Sequence, residues 1–431
     1  MDNSPARGTR DLLPGSVATR DRVLGLIQDV YRRFGYQRIE TPALEQIERL
    51  TAGQGWDNEK LLFRVLKRGA IAMPSVPAGT ELSADALSEL VDLGLRYDLT
   101  VPLTRFYAQY RAELAAPFRS FQFGPVWRAE RPQKGRYRQF YQCDIDLLGE
   151  ASVLAEAELI EATTQALAAV GLTGTTVRLS DRRLLAALAT AAGVPVDARA
   201  GFFVTVDKLD KAGWDGVTTE LVDGRGLPVA VVAAARDKIE ALTGLPAGKV
   251  AEVLGEVVPG LPEQVATDLS TTAECLADLG GVSWSFDPTL VRGMGYYTGQ
   301  IFEITHPDAA GSIAGGGRYD ELIGRSLGSE VPACGFSIGF ERIVDLVAAA
   351  PVAERVAVLY DADVPVAQAL EVARRLREDH GVVVSPVRRS GKFAAQLSRL
   401  EGWGFTAFAP LVPGQDTGEL PQPRPLGGQP A

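Results

Sequence analysis

Histidine is nearly absent from this chain. Only His306 and His380 occur in 431 residues, which argues against a histidine-based zinc site and Ser-His-Asp hydrolysis. Both sit at turns and read as surface positions. Three cysteines, Cys143, Cys275 and Cys334, lie far apart and form neither a disulfide framework nor a metal-ligand cluster. A reducing, cytoplasmic setting is therefore expected. No run of eighteen apolar residues occurs, so no membrane span is expected. The opening MDNSPARGTRDLLPG is polar and lacks the apolar region of a signal peptide. Basic residues do not dominate either: 44 Lys and Arg stand against 54 Asp and Glu, a formal net charge of −10. That balance argues against a protein coated for nucleic acid, while a local basic face remains compatible with it.

With 46% hydrophobic and 23% charged residues, the chain has the composition of a protein of two or three domains. It is organised around Phe121 to Gly149, FQFGPVWRAERPQKGRYRQFYQCDIDLLG. An apolar run, Phe121 to Trp127, enters a polar turn with Pro132 and Gly135, and a second run, Tyr137 to Leu148, leaves it. This pattern predicts an antiparallel hairpin with a long loop. Arg128, Glu130, Arg131, Lys134, Arg136 and Arg138 gather beside the turn. On the returning strand, Phe140, Gln142, Cys143 and Asp146 are expected to alternate with Tyr141, Asp144 and Ile145, giving polar groups over an apolar floor. Arginine forks suit phosphate oxygens, and an aromatic on the same hairpin offers a plane for a purine. Taken alone, the hairpin reads equally as a solvated basic loop.

The remaining elements follow in order. Residues 16–34 carry helical apolar spacing and stop at Gly35; Tyr36 to Glu40 reads as a strand ending at Thr41-Pro42. Leu61 to Gly69 reads as a strand and turn, and residues 70–91 as an insertion or mobile loop. Arg96 to Thr100 reads as a strand, or, for the DLT alone, as a strand followed by a helix capped near Thr100. Residues 151–171 predict an amphipathic helix and Thr176 to Ser180 a strand. Residues 181–280 are helical stretches with no chemical motif. LVRGMGYYTGQIFEI (Leu290 to Ile304) ends near a turn. AGGGRYDELIG (Ala314 to Gly324) has glycines that permit close backbone approach, but it is neither a Walker loop nor a GxGxxG. GFSIGFERI reads as a strand feeding a helix with Arg342 near its start, where arginine and helix terminus both favour phosphate. From Arg355, strands and helices alternate in the pattern of a small parallel sheet. RRSGKFAAQLSRL (Arg388 to Leu400) supplies cations and a phenylalanine suited to exposed bases.

The hairpin resembles motif 2 of the class II aminoacyl-tRNA synthetases, and RPQKGRYRQF is particularly like the histidyl-tRNA synthetase family. The helix, strand and proline at residues 16–42 look like motif 1, GFSIGFERI like motif 3, and LVRGMGYYTGQIFEI like a signature of that family. Gly295 stands where the family usually has an acidic residue. The resemblance implies an α+β fold: a class II synthetase-type antiparallel sheet catalytic core with a helical insertion, then a small α/β C-terminal domain. The expected divisions are a catalytic core over 1–175 and 283–350, a helical insertion over 176–282, an anticodon-binding-like domain over 354–412 and a disordered tail over 413–431. It further implies ATP-dependent activation of histidine and its transfer to tRNA(His), with ATP as substrate, Mg2+ expected, and a homodimer built on motif 1. By the same resemblance, Asp98, Leu99 and Thr100 lie at the amino end of histidine, and Gln142, Asp146, Tyr296 and Tyr297 frame it. Arg128 grips the α-phosphate, Glu130 meets the adenine edge, Phe140 stacks on adenine, and Arg136 and Arg342 hold ATP. Arg292 stabilises the phosphorus under attack, without proton transfer. A regulatory subunit of ATP phosphoribosyltransferase, a paralogue that does not aminoacylate, is the alternative; it has no reason to keep all these arginines.

Overall fold

The computed structural model describes residues 2–51, 61–68, 90–132, 136–279, 282–291, 296–349, 354–415 and 419–427. The chain divides into two units, Met1–Ala348 and Ala349–Ala431.

In the first unit the N-terminal amphipathic stretch forms the helix Pro14–Arg33, begun by a proline whose missing N–H would have no helical partner there. Val23, Ile27, Val30 and Tyr31 recur at helical spacing and are buried. The helix closes at Phe34, and Gly35 follows with a φ of +85° that a side chain would resist. Of the strand expected over Tyr36 to Glu40, only Gln37–Arg38 pairs, parallel to Ser120 and Phe121.

An eight-stranded sheet carries the unit. Its order is Gln37–Arg38, Phe118–Trp127, Gln139–Leu148, Ala333–Ile338, Ala314–Arg318, Gln300–Thr305, Thr176–Asp181, Ser283–Phe286. The two outermost pairings are parallel and the inner ones antiparallel, the α+β arrangement that the motif order implies. The helices Pro14–Arg33 and Leu154–Ala169 pack against each other and share one apolar core with Phe302, Phe336 and Phe340. The helical stretch from Arg182–Ala191 to Glu263–Asp278 is bracketed by the last two strands of the sheet, and its leucines continue the same core.

Leu44–Gln46, Val91–Leu95 and Phe63–Leu66 form a separate three-stranded antiparallel sheet. Most of the insertion expected over 70–91 lies outside the described residues. Arg96 to Thr100 departs from the expected strand. Pairing stops at Leu95 and a helix, Thr100–Tyr110, begins at once. Asp98 Oδ1 accepts from the Val101 N–H at 3.0 Å, so this carboxylate satisfies a helix-start donor instead of extending the sheet. His306 also departs from expectation. Its side chain is 8% exposed, and its Nδ1 accepts from the Asp308 N–H at 3.2 Å. The side chain of His380 lies outside what is described.

The second unit is a four-stranded sheet in the order Val383–Arg388, Arg355–Tyr360, Ala407–Leu411, Arg424–Pro425. The first three strands are parallel. Arg355–Tyr360 is buried on both faces, as its unbroken apolar run requires. Val356 and Val358 meet the helix Val366–His380, while Ala357 and Leu359 meet Phe393–Gly402. Within the Pro- and Gly-rich stretch whose composition suggests disorder, Arg424–Pro425 pairs antiparallel with Ala407–Phe408.

The glycine run at 315–317 serves the sheet directly. A Cβ on Gly316 would stand 2.8 Å from the Phe302 ring and 2.9 Å from Phe336 Cα, with the Gly335 carbonyl closer still. Gly316→Ala is expected to destabilise folding by about 1–3 kcal/mol through overpacking. The check is the urea midpoint, which should fall; an unchanged midpoint would mean that the strands spread to admit the methyl group.

Candidate active site

The hairpin register sets Gly124 opposite Gln142, Gln122 opposite Asp144 and Ser120 opposite Asp146. Strict two-residue alternation then turns Gln142, Asp144 and Asp146 toward a cleft of about 430 Å³. Cys143, Ile145 and Leu147 point the other way, into the core. This corrects the sequence reading for two residues: Cys143 is not on the polar face, and Asp144 is. Counting by twos from Gln142 would have found Asp144.

Asp98, Asp144 and Asp146 form a buried acidic floor, at 2%, 3% and 2% exposure. Burial pushes Asp98 up to about 6 and Asp146 up to about 7 from an ordinary 3.8, against the pull of the Val101 N–H on one and the Tyr319 hydroxyl on the other. Burial also drives Asp144 well up. The Ser337 hydroxyl opposes that shift, and the charges of Asp146 and Asp98 add to it. Each carboxylate has one satisfied oxygen. Asp98 accepts from Val101, Asp146 from the Tyr319 hydroxyl at 2.6 Å, and Asp144 from Gln142 Nε2 at 3.2 Å. Asp98 Oδ2, Asp144 Oδ1, Asp146 Oδ2 and Gln142 Oε1 have no hydrogen-bond partner among the described residues. An unpaired buried acceptor costs about 1–3 kcal/mol. Four of them around one cleft mark the place of a ligand rich in N–H donors.

Tyr296 and Tyr297 wall this end, with ring centroids 4.9 Å apart, and Tyr296 lies 5.8 Å from the Tyr319 ring. Burial raises Tyr296 well above its ordinary range, and the Thr100 hydroxyl opposes that rise. Leu99 is not part of the lining. Its side chain is buried behind the cleft, and its carbonyl accepts from Gln122 Nε2 at 3.1 Å. Two residues here escaped sequence reading. Tyr319 follows the glycine run, and Gly335 faces Asp146 where a Cβ would collide with Oδ1.

The mouth of the cleft is cationic and aromatic. Arg128 Nε donates to the Tyr97 carbonyl at 3.1 Å, and its guanidinium lies 5.1 Å from the centroid of Phe140. Glu130, Arg136 and Arg342 also line this end, and Arg342 donates to the Ser312 carbonyl. Beside them Glu341 accepts from Arg20 at 2.7 and 2.9 Å, from Arg10, and from the Tyr141 N–H at 3.1 Å. Burial alone would raise Glu341, but these donors outweigh it and hold it below the usual carboxylate range. Nothing local in FERI announces that role. Lys134 and Arg292 lie outside the described residues. The cleft can thus receive N–H donors at its buried end, and hold an anion and a planar ring at its open end.

Comparison with known proteins places this sheet and its cleft among the aminoacyl-tRNA synthetases. The family model described as histidyl-tRNA synthetase matches residues 8–73 and 83–343. A histidine–tRNA ligase of Leifsonia xyli subsp. xyli is 48% identical over 430 residues, covering 94% of each chain. A probable histidine–tRNA ligase of Tropheryma whipplei is 40% identical over 422 residues, 95% of this chain and 96% of that one. The histidyl-tRNA synthetase structure from Nostoc sp. PCC 7120 has a TM-score of 0.76 at 25% identity, covering 96% of this chain and 92% of its own. A Bacillus halodurans structure described as an ATP phosphoribosyltransferase regulatory subunit/histidyl-tRNA synthetase has a TM-score of 0.77 at 22% identity, over 96% of this chain and 100% of that one; this likeness concerns fold alone. The chain belongs to the histidyl-tRNA synthetase family.

The acidic floor has a consequence for stability. Folded protein holds protons on Asp98 and Asp146 up to about pH 6 and 7, where the unfolded chain has released them. The folded state therefore binds more protons between about pH 4 and 7, and its stability falls as pH rises through that window. Asp146→Asn is expected to flatten the fall, melting a few degrees above wild type at about pH 8 and close to it at about pH 4. Thermal melts of the ligand-free protein across that range check this; a steeper decline in the variant would contradict it.

Proposed function

We propose that the chain activates histidine with ATP, giving histidyl-adenylate and pyrophosphate, and then transfers the histidyl group to the terminal adenosine of tRNA(His). It works as a class II histidine–tRNA ligase. The observation that carries this reading is the pairing, in one cleft, of an acidic floor with unpartnered acceptors and an arginine-and-aromatic mouth. A free amino acid with an ammonium group and an imidazole N–H supplies the donors that the floor lacks. ATP supplies the anion and the planar ring.

Asp98 and Thr100 receive the ammonium group. Asp146, held by Tyr319, accepts from the imidazole N–H, between the rings of Tyr296 and Tyr297. Amino acids without that N–H leave a buried acceptor unpaired, which rejects them without an editing step. The histidine carboxylate then lies toward Arg128, where one of its oxygens attacks the α-phosphorus. The bond from that phosphorus to the bridging oxygen breaks, and pyrophosphate leaves with the electron pair. No proton moves, so the catalysis required is orientation and neutralisation of charge. Arg128 and Arg292 supply it at the α-phosphate, and Arg136 and Arg342 at the outer phosphates. Phe140 stacks on the adenine, with Glu130 at its edge. Mg2+ would accompany the ATP phosphates. Among the described residues no group of three His, Cys, Asp or Glu side chains is placed to hold a metal ion. In the second step a hydroxyl of the tRNA's terminal ribose attacks the carbonyl carbon, the bond from that carbon to the phosphate oxygen breaks, AMP leaves with the electron pair, and the hydroxyl proton passes to the departing phosphate. A cytoplasmic homodimer and tRNA contact through the C-terminal unit complete the reading.

Purified protein is expected to catalyse ATP–pyrophosphate exchange with histidine and with no other amino acid. Histidine binding without exchange would instead support the regulatory paralogue. Arg292→Ala should lower the exchange rate by roughly 10²–10³-fold while leaving the melting temperature unchanged; full activity would remove Arg292 from the mechanism.

A further inference from the structure

Asp144, at the cleft, has no role in the scheme above. Asp144 is 3% exposed and is paired in register with Ser337 on the neighbouring strand. Gln142 Nε2 donates both to Asp144 Oδ2, at 3.2 Å, and to Ser337 Oγ, at 3.3 Å. Gln142 Oε1 has no partner among the described residues. Beside this pair, on the same face of the sheet, lies Arg96. Gly124, opposite Gln142, has no room for a Cβ because the Arg96 guanidinium occupies the space. Arg96 is pinned there by the carbonyls of Pro125, at 3.0 Å, and Thr41, at 2.5 Å. Its charge faces Asp144 from the protein side.

We propose that Asp144 is a positioning residue: it holds the Gln142 carboxamide with its nitrogen turned inward, so that Gln142 meets the substrate as a hydrogen-bond acceptor. A carboxamide has two nearly isosteric ends and can present either a donor or an acceptor. Oδ2 of Asp144 accepts from Nε2 whether or not Oδ1 carries a proton. The flipped amide would set Oε1 against Oδ2 and strand the nitrogen. With that choice made, Asp98, Gln142 and Asp146 all offer oxygen to the ligand, and the Gln142 amide adds no donor that would attract a carboxylate to this end. A substrate ammonium group is drawn in, and the substrate carboxylate is left to the Arg128 end. Asp144 thereby sets which way round an amino acid enters. This rests on the histidine-activating reading above.

The test uses the full-length protein and measures KM for histidine and for ATP separately in pyrophosphate exchange. Asp144→Leu keeps the volume and removes both acceptor oxygens. It should raise KM for histidine about tenfold or more and leave KM for ATP within about twofold. Asp144→Asn retains an oxygen for Nε2 and should recover most of the loss; equal loss in both variants would assign the effect to charge and overturn the positioning role. Calorimetric binding gives a second readout. Histidinol, which keeps the ammonium group, should bind the Leu variant as weakly as histidine does. Imidazole-4-propionate, which lacks that group, should bind wild type and variant alike. An unchanged KM for histidine, or an equal loss of imidazole-4-propionate, overturns the proposal. If Asp144→Leu does not fold, Ser337→Ala removes the other acceptor of Nε2 and should raise KM for histidine in the same direction by less. Wild type that binds histidine without exchange overturns the ligase reading alone, and the variants are then compared by binding. Wild type that binds neither histidine nor histidinol overturns both.

Discussion

Asp98, Asp144 and Asp146 lie within one another's field in a region closed to water, and each is driven toward its neutral form. An ionised carboxylate in such a place costs several kcal/mol unless donors or a counter-charge compensate it. Compensation here is partial: one hydroxyl, one helix-start N–H, one amide, and an arginine on the same face of the hairpin. The neighbouring backbone is correspondingly bare, with glycine at 124 and 335 where any side chain would strike Arg96 or Asp146. The ligand-free protein therefore carries a destabilising floor with acceptors that no described residue meets. Stability is given up where binding needs it.

Arginine takes two distinct fates in this unit, and burial separates them. Arg318, 8% exposed, reaches both oxygens of Glu156 at 2.6 Å and two backbone carbonyls besides. Arg96 is spent almost entirely on carbonyls, and Arg20 on Glu341. These guanidiniums have few hydrogens left for a ligand; they fix the strands and the helix start from which the cleft is built. Glu341 joins the N-terminal helix to the backbone of the returning hairpin strand through Arg20 and the Tyr141 N–H, so the two sequence motifs at opposite ends of the unit share one ionic joint. Arg128 and Arg136 keep charge available at the mouth.

Much of this was legible in advance because it rests on local periodicity. The N-terminal helix, the hairpin, the helical stretch and the parallel sheet of the second unit each follow from spacings of two or 3.6 residues. The short motifs that pointed to a synthetase bring Asp98, Thr100, Arg128, Gln142, Asp146, Tyr296, Tyr297 and Arg342 to one cleft. Where reading by pattern failed, a local competitor had won. Asp98 capped a helix that the sequence had extended as a strand, and a miscounted alternation put Cys143 in place of Asp144.

Composition and periodicity determined by themselves the long helices, the hairpin and the parallel sheet of the second unit, and which residue types gather at the hairpin, since those depend on neighbours a few positions away. The tertiary structure alone decided that Tyr319 reaches across 173 positions to Asp146, that Arg20 reaches Glu341 across 321, and that Asp144 turns the amide of Gln142. It also decided that three ordinary aspartates become proton-holding groups. Each of these is a matter of which atoms are left facing one another once water has been excluded, and no spacing along the chain encodes that.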